Sequence, residues 1–379
     1  MYAGRGAPPY DPWNPIVKAY LIRRFLLIFP TFLGISIITF LVVQLAPGNP
    51  VYLKLRAAGG AMSAEGVTPE IIEQTKKMYG LDRPMHERYV LWLSRLVTLD
   101  FGDSYKDHRP VRTRILEALP ITLQINVISL FVVYMVSIPL GVFSATHRES
   151  KRDKLLSIGL FLLYSLPSFW VAMLLMYFLG GGGGSTGLQN MFLSLFTAIG
   201  VQDRSAVQWL INNVLHFRWF PIYGLNSFGA ESWPWHRWLL DRLWYLILPV
   251  FCLSYASLAY TSRFMRAGMI EVTRQDYVRT ARAYGIGERV VIYKYAMRNA
   301  LIPILTLLGE ELPLLIGGSV IIEYIFSIPG MGRLAYEAIL YRDYPVVMGV
   351  LSITAILTLL GIILSDILYA VADPRIKFD

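Results

Sequence analysis

Charge and cysteine are what this chain has least of. Only 16% of its 379 residues are Asp, Glu, Lys or Arg, against about 25% in soluble domains. So little charge cannot cover a soluble surface, and 55% of the residues are hydrophobic, with a mean hydropathy of +0.48. The bulk of the chain is therefore solvated by lipid. One cysteine, Cys252, excludes an internal disulfide and says nothing about redox compartment. Five scattered histidines lack metal-ligand spacing, and His86-Glu87 has no second histidine to complete a zinc helix. No GxxxxGK[ST] string occurs, so the chain has no phosphate-cradling loop of that kind. Its energy source is another subunit or an ion gradient. Two short matches are accidental: Gly183–Gly187 fits the nucleophile elbow and Gly182–Gly187 fits GxGxxG. Both chemistries need a strand before the turn, and an apolar helix precedes it here. Acidic residues number 26 against 35 basic ones, a net charge of +9. In a membrane protein the ordinary source of that excess is cytoplasmic loops rich in Lys and Arg, so no nucleic-acid partner is expected.

What the chain does have is long apolar runs. Six are long enough to span a bilayer: residues 21–46, 119–146, 155–180, 244–263, 301–326 and 346–372. The expected fold class is an all-α polytopic membrane protein with six transmembrane helices. Residues 1–20, rich in Pro, Gly and Tyr, are expected to form a disordered cytoplasmic tail. The first run is too long for a signal peptide and lacks a small-residue cleavage site. With the N-terminus inside, the segment HRESKRDK (His147–Lys154), the loop 264–300 and the tail 373–379 are also inside. All three carry an excess of Lys and Arg, as the positive-inside rule demands.

Outside lie 47–118, 181–243 and 327–345. In the first, Thr68 caps a helix with Pro69 at its first position and Gly80 at its end. A second helix starts near Pro84, with Tyr89, Trp92, Leu93 and Leu96 on one face. The second segment follows five consecutive glycines from Gly180. It contains an apolar stretch, Leu188–Ile199, suited to the interface, and an aromatic belt, Trp233–Trp244.

The loop from Arg266 to Pro303 is the most charged long segment between two apolar ones. Asp276 is placed to cap a helix over Tyr277–Tyr284, and Gly285 to end it in a left-handed turn. Ile270, Tyr277, Ala281 and Tyr284 recur at near-helical spacing as an apolar stripe, and Arg279 and Arg282 share an edge. Two turns are unstable alone, so this helix must pack on something. A groove on a partner protein, its own spans and lipid headgroups all remain open on these residues.

The string Arg279-Thr280-Ala281-Arg282-Ala283-Tyr284-Gly285 resembles the EAA loop of ABC importer permeases, whose pattern is Glu-Ala-Ala, three residues, then Gly. The wider string QDYVRTARAYG…RNALIP resembles the dipeptide/oligopeptide permease subfamily. So do YLIRRFLL, QLAPGNPV, LPITL, SIPLGV, FSIPGMGRLAYEAILYRDYPVV and DPRIKFD. DFGDSYKD, HERYV and WYLILPV further resemble its Yej-type branch. Arg279 and Thr280 stand where the pattern has Glu and the first Ala. Met297-Arg298 stand where it has Leu-Pro.

The resemblance implies a type I ABC importer permease of the bacterial cytoplasmic (inner) membrane, itself not an enzyme. Its implied partners are a second homologous permease, two ATPase subunits, an extracytoplasmic peptide-binding protein and a peptide substrate. No cofactor is implied in this chain; ATP and magnesium belong to the ATPases. The implied ATPase-coupling residues are Asp276, Tyr277, Arg279, Thr280, Ala281, Arg282, Ala283, Tyr284 and Gly285.

Within the fifth run, Glu310 and Glu311 stand out, since a carboxylate at a lipid-exposed midplane costs about 2.5–3.5 kcal/mol. Either one lines the substrate pathway near a peptide amine, or they bond structurally to the sister subunit or a nearby Ser or Thr. Pro313 is expected to loosen that helix locally. The rival reading is a proton-coupled secondary peptide transporter with one of these glutamates as relay. It predicts broken helices at matching positions in two halves, and the sequence shows no such symmetry.

Overall fold

The computed structural model describes residues 15–45, 73, 83–179 and 220–372. Thr68–Gly80 apart from Glu73, the glycine run with its accidental motifs, Leu188–Ile199 and the tail 373–379 lie outside the described residues. Every regular element among the described residues is helical, apart from one isolated bridge, Asp103 to Pro110. The helices are α1 (Pro15–Leu45), α2 (Met85–Val97), α3 (Val111–Thr146), α4 (Lys151–Ser165), α5 (Ser168–Leu179) and α6 (Trp235–Val272). Then come α7 (Asp276–Ala283), α8 (Glu288–Ala300), α9 (Ile302–Glu311), α10 (Leu314–Gly317), α11 (Val320–Ile325), α12 (Met331–Leu340) and α13 (Tyr344–Ala372).

Four of these cross a bilayer by length and composition: α1, α3, α6 and α13. Two bent pairs, α4 with α5 and α8 with α9, raise the total to six if each counts as one span. Where a span over 155–180 is expected, the structure has two helices, α4 and α5, that meet at 98°. Pro167 disfavours helical geometry at Leu166, which is extended (φ −86°, ψ 130°). The Tyr255 hydroxyl then donates to the freed Leu166 carbonyl at 2.6 Å. The fifth run also differs. Its helical pair starts at Glu288, bends by 44° and stops at Glu311, before Pro313, where 301–326 had been expected. Gly318, at φ +68°, separates α10 from α11. At the chain's start, α1 begins at Pro15 rather than after residue 20, proline being tolerated in a first helical turn. The 38-residue α6 is about 57 Å long at 1.5 Å per residue and takes in most of the Trp-rich belt as its opening turns.

The contacts divide the chain into two units. One comprises Met1–Pro120, Leu305–Gly317 and Leu334–Asp379. In it α1 packs along α13, with Arg24 paired to Asp366 at 3.0 Å. Phe40, Val43 and Met348 are buried together under Tyr89 and Trp92 of α2, and the Tyr89 hydroxyl bonds Ser36 at 2.7 Å. Buried Asp343 receives the Ser104 hydroxyl and the Tyr105 amide, and it pairs with Arg114.

The other unit comprises Ile121–Ile304 and Gly318–Arg333. Its core gathers Ile125, Val171, Leu246, Val250, Tyr255, Ile322 and Phe326. Buried Glu323 accepts the Thr122 hydroxyl at 2.9 Å and the Arg333 amide at 3.0 Å, while Thr122 accepts from the Met331 amide. Gly318 and Gly330 wall in that carboxylate so closely that neither has room for a Cβ.

Candidate functional site, a short helix held between spans

Helix α7 follows α6 after a three-residue connector, Thr273 to Gln275. The N-cap is Gln275, extended at φ −68°, ψ 149°, and not Asp276. Asp276 is the first helical residue, where a carboxylate complements the helix dipole, and it pairs with Arg279 at 3.6 Å. The Thr280 hydroxyl donates to the Asp276 carbonyl at 2.9 Å. Tyr284 is the C-cap, and Gly285 takes φ +75°. The Gly285 amide bonds the Arg282 carbonyl at 2.9 Å, and the Ile286 amide bonds that of Ala281 at 3.3 Å. That pair of bonds is a Schellman ending, which satisfies two orphan carbonyls and turns Ile286 back onto the helix.

The buried face consists of Val278 and Ala281, with Val291 completing the cluster. Val272, Ile286 and Tyr295 pack around them. Val278 is 0% exposed and Ala281 5%, whereas Tyr284 is 82% exposed. The expected stripe of Tyr277, Ala281 and Tyr284 is thus corrected. Val278, three residues before Ala281, shares its face, and both tyrosines lie off it. Val278/Ala281 at i, i+3 and Tyr277/Ala281 at i, i+4 are both helical spacings, so spacing alone leaves the choice of face open.

Among the alternatives left open, α7 folds against its own chain through one face and keeps another face free. Two polar clasps fix it there. Arg282 meets Glu288 through two bonds, of 2.7 and 3.1 Å. The Tyr277 hydroxyl accepts from Asn299 at 2.6 Å. Hydrogen bonding from Arg282 holds the Glu288 carboxyl below the usual carboxylate range, and the same contact raises Arg282. Under α7, the helix α8 includes a π segment, Val291–Ala296. The free face presents Asp276, Arg279, Thr280, Ala283 and Tyr284, all exposed.

Glu310 and Glu311 belong to the first of the two units, in the last turn of α9 rather than in the middle of an unbroken span. Glu310 is exposed and Glu311 half-buried, and neither makes a hydrogen bond or ion pair with a described residue. Next to them the Gly309 carbonyl accepts the Ser365 hydroxyl, and Gly361 lies against Pro313, so α13 braces the broken end of α9. Among the described residues no group of three or more His, Cys, Asp or Glu could hold a metal ion.

The described residues thus form an all-helical, multi-pass arrangement with a short, propped helix between spans. The chain belongs to the family of binding-protein-dependent transport system inner membrane components. The profile of that family matches residues 137–378, and the profile of its N-terminal segment matches 17–126. Members are non-catalytic membrane subunits without cofactors. The protein is accordingly a multi-pass inner-membrane permease subunit of a binding-protein-dependent ABC transporter, a class that works with ATPase and binding-protein partners.

Curated relatives match over nearly the whole chain. The oligopeptide transport system permease protein AppB of Bacillus subtilis is 36% identical, over 96% of this chain and 100% of its own. The inner membrane ABC transporter permease protein YejB of Escherichia coli O157:H7 is 33% identical, over 95% and 99%. The dipeptide transport system permease protein DppB of Alkalihalophilus pseudofirmus is 32% identical, over 95% and 99%.

Proposed function

We propose that this subunit imports peptides, di- or oligopeptides or peptide-like compounds, across the inner membrane. In this reading it lines the pathway together with a second, homologous permease. Two ATPase subunits drive the pair, and an extracytoplasmic binding protein delivers the peptide. The observation that carries the reading is similarity at 32–36% identity, end to end, to permeases named for oligopeptides and dipeptides.

Both termini and the α7 segment face the cytoplasm, a topology supported by the Lys and Arg excess of the loops on that side. The free face of α7 then meets an ATPase groove, with Tyr284 as its apolar knob and Arg279 on its basic edge. ATP closes the ATPase pair, α7 is displaced, and the spans exchange inward-open for outward-open states. Peptide moves because those states bind it differently and the nucleotide biases their populations. Glu310 or Glu311 lines the pathway and meets the peptide amine. Neither has a partner among the described residues, and since an unpaired carboxylate does not face lipid, this fits the pathway or the seam with the second permease.

Reconstitution with both ATPases and the binding protein tests the proposal. Uptake of labelled peptide should require the ATPases and ATP. Uptake that persists without them and collapses with the proton gradient would establish the secondary-transporter reading instead. Because the only native thiol, Cys252, is buried, Tyr284→Cys supplies a single accessible one. A crosslinker there should capture an ATPase subunit, and capture of lipid alone would refute the docking.

A further inference from the structure

Asp153 belongs to none of the machinery described so far, yet it is 3% exposed and completely engaged. Its Oδ1 accepts the Ser144 hydroxyl and Arg266 Nε at 3.3 Å. Its Oδ2 accepts Arg266 Nη2 at 2.8 Å and the Glu149 amide at 3.1 Å. The Asp153 amide in turn donates to Ser150 at 3.1 Å, which caps α4. Glu149 adopts φ +65°, a left-handed conformation that costs a residue with a side chain, and the surrounding bonds over-determine it. The turn between α3 and α4 is therefore wrapped around one carboxylate, and among the described residues Arg266 is the only group on that carboxylate from outside α3, α4 and their turn.

Arg266 sits in the last third of α6, nearly two turns before the connector to α7. Beside it, Met265 is 0% exposed, and a Cβ built on Gly141 of α3 would lie 2.6 Å from Met265 Cβ. A Cβ built on Gly268 would meet Ala300 of α8 at ordinary van der Waals distance. The C-terminal part of α6 thus touches α3 in backbone-close contact, reaches the α3–α4 turn through a salt bridge, and is joined to α7 by the three-residue connector.

We propose that the Asp153–Arg266 pair is a positioning link in the coupling path. It carries displacement of α7, through the end of α6, into the α3–α4 turn. Smooth apolar packing lets helices slide along their axes, whereas a two-pronged charge-assisted contact fixed by further hydrogen bonds resists shear. Loss of either partner leaves the other charge buried or half-buried without compensation. The link presupposes the ATPase-driven reading above.

The test uses the assembled transporter in proteoliposomes, with its ATPases and binding protein, and a radiolabelled ladder of di- to penta-alanine as cargo. Uptake and ATP hydrolysis are measured on the same vesicles, per assembled complex. Arg266→Gln and Asp153→Asn are each expected to lower peptide carried per ATP by about tenfold or more, with hydrolysis kept within about threefold. The double variant is expected to match the worse single one, because each residue acts through the other. Arg266→Lys, which keeps the charge without the fork, is expected to recover part of the ratio. A peptide-to-ATP ratio unchanged in all variants, or additive losses in the double, overturns the link. Failure of both Arg266→Gln and Arg266→Lys to assemble also overturns it and leaves a purely structural bridge. Uptake by wild-type vesicles lacking ATPases would instead overturn the functional reading, before any variant is compared.

Discussion

Val278 is the side chain on which the placement of α7 turns. It is 0% exposed against Ala281 and Val291, in a segment that faces water in the proposed orientation. Val278→Ala removes two methyl groups. Transfer costs about 0.8 kcal/mol per buried carbon, and the cavity left behind adds a further term, for a total of about 2 kcal/mol. An eight-residue helix has no stability of its own to absorb that loss. Local opening should then become about 30-fold more frequent, at tenfold per 1.4 kcal/mol. Hydrogen exchange reads it directly, since the Tyr284 amide bonds the Thr280 carbonyl at 3.0 Å and the Gly285 amide bonds that of Arg282. Both amides should lose about 30-fold in protection while α6 amides keep theirs. Tyr284→Ala is the control: an 82% exposed ring contributes little to folding, so exchange should barely change. If Tyr284→Ala loosens the helix more than Val278→Ala does, the assignment of faces is wrong.

Gly285→Ala places a side chain at φ +75° and should cost about 1 kcal/mol, read as roughly fivefold faster exchange at the helix end; unchanged exchange would refute the Schellman ending. Gly330→Ala brings a Cβ within 2.6 Å of Thr122 Oγ1 and closer still to Glu323. Overpacking of about 1–3 kcal/mol should lower the unfolding temperature in detergent, and a wild-type value would contradict the tight cradle. The pH dependence of the Arg282–Glu288 clasp follows from the direction of its shift. Because the folded Glu288 value is depressed, the contribution is complete above the unfolded value and disappears as pH falls through the folded one. In Arg282→Gln the Glu288 midpoint, followed by carbon NMR, should rise toward the ordinary carboxylate range. No rise would mean that the clasp does not hold the carboxylate.

Helix-rich membrane architecture was legible from composition and from the lengths of the apolar runs, because lipid admits only segments that satisfy their own backbone. Gly285 was legible too, since a left-handed helix end leaves little choice of residue. Breaks in the spans were less so. Pro167 and Pro313 stand openly in the sequence, but a proline inside an apolar run reads equally as a kink or a stop. The 98° bend at Leu166 became definite only because Tyr255, 89 positions away, supplies the missing donor.

Local spacing and charge were enough, on the sequence alone, to establish that this chain lives in lipid and to place a short helix in its basic loop. Which face of that helix is buried, and which distant charge closes on Asp153, were decided by the tertiary structure. Val278 and Tyr277 are neighbours on one helical wheel, and nothing in their order says which will meet Val291. Arg266 and Asp153 are 113 positions apart. Pairings at that range depend on where helices come to rest, and helix packing, unlike helix formation, is set by surfaces that form only once the chain has folded.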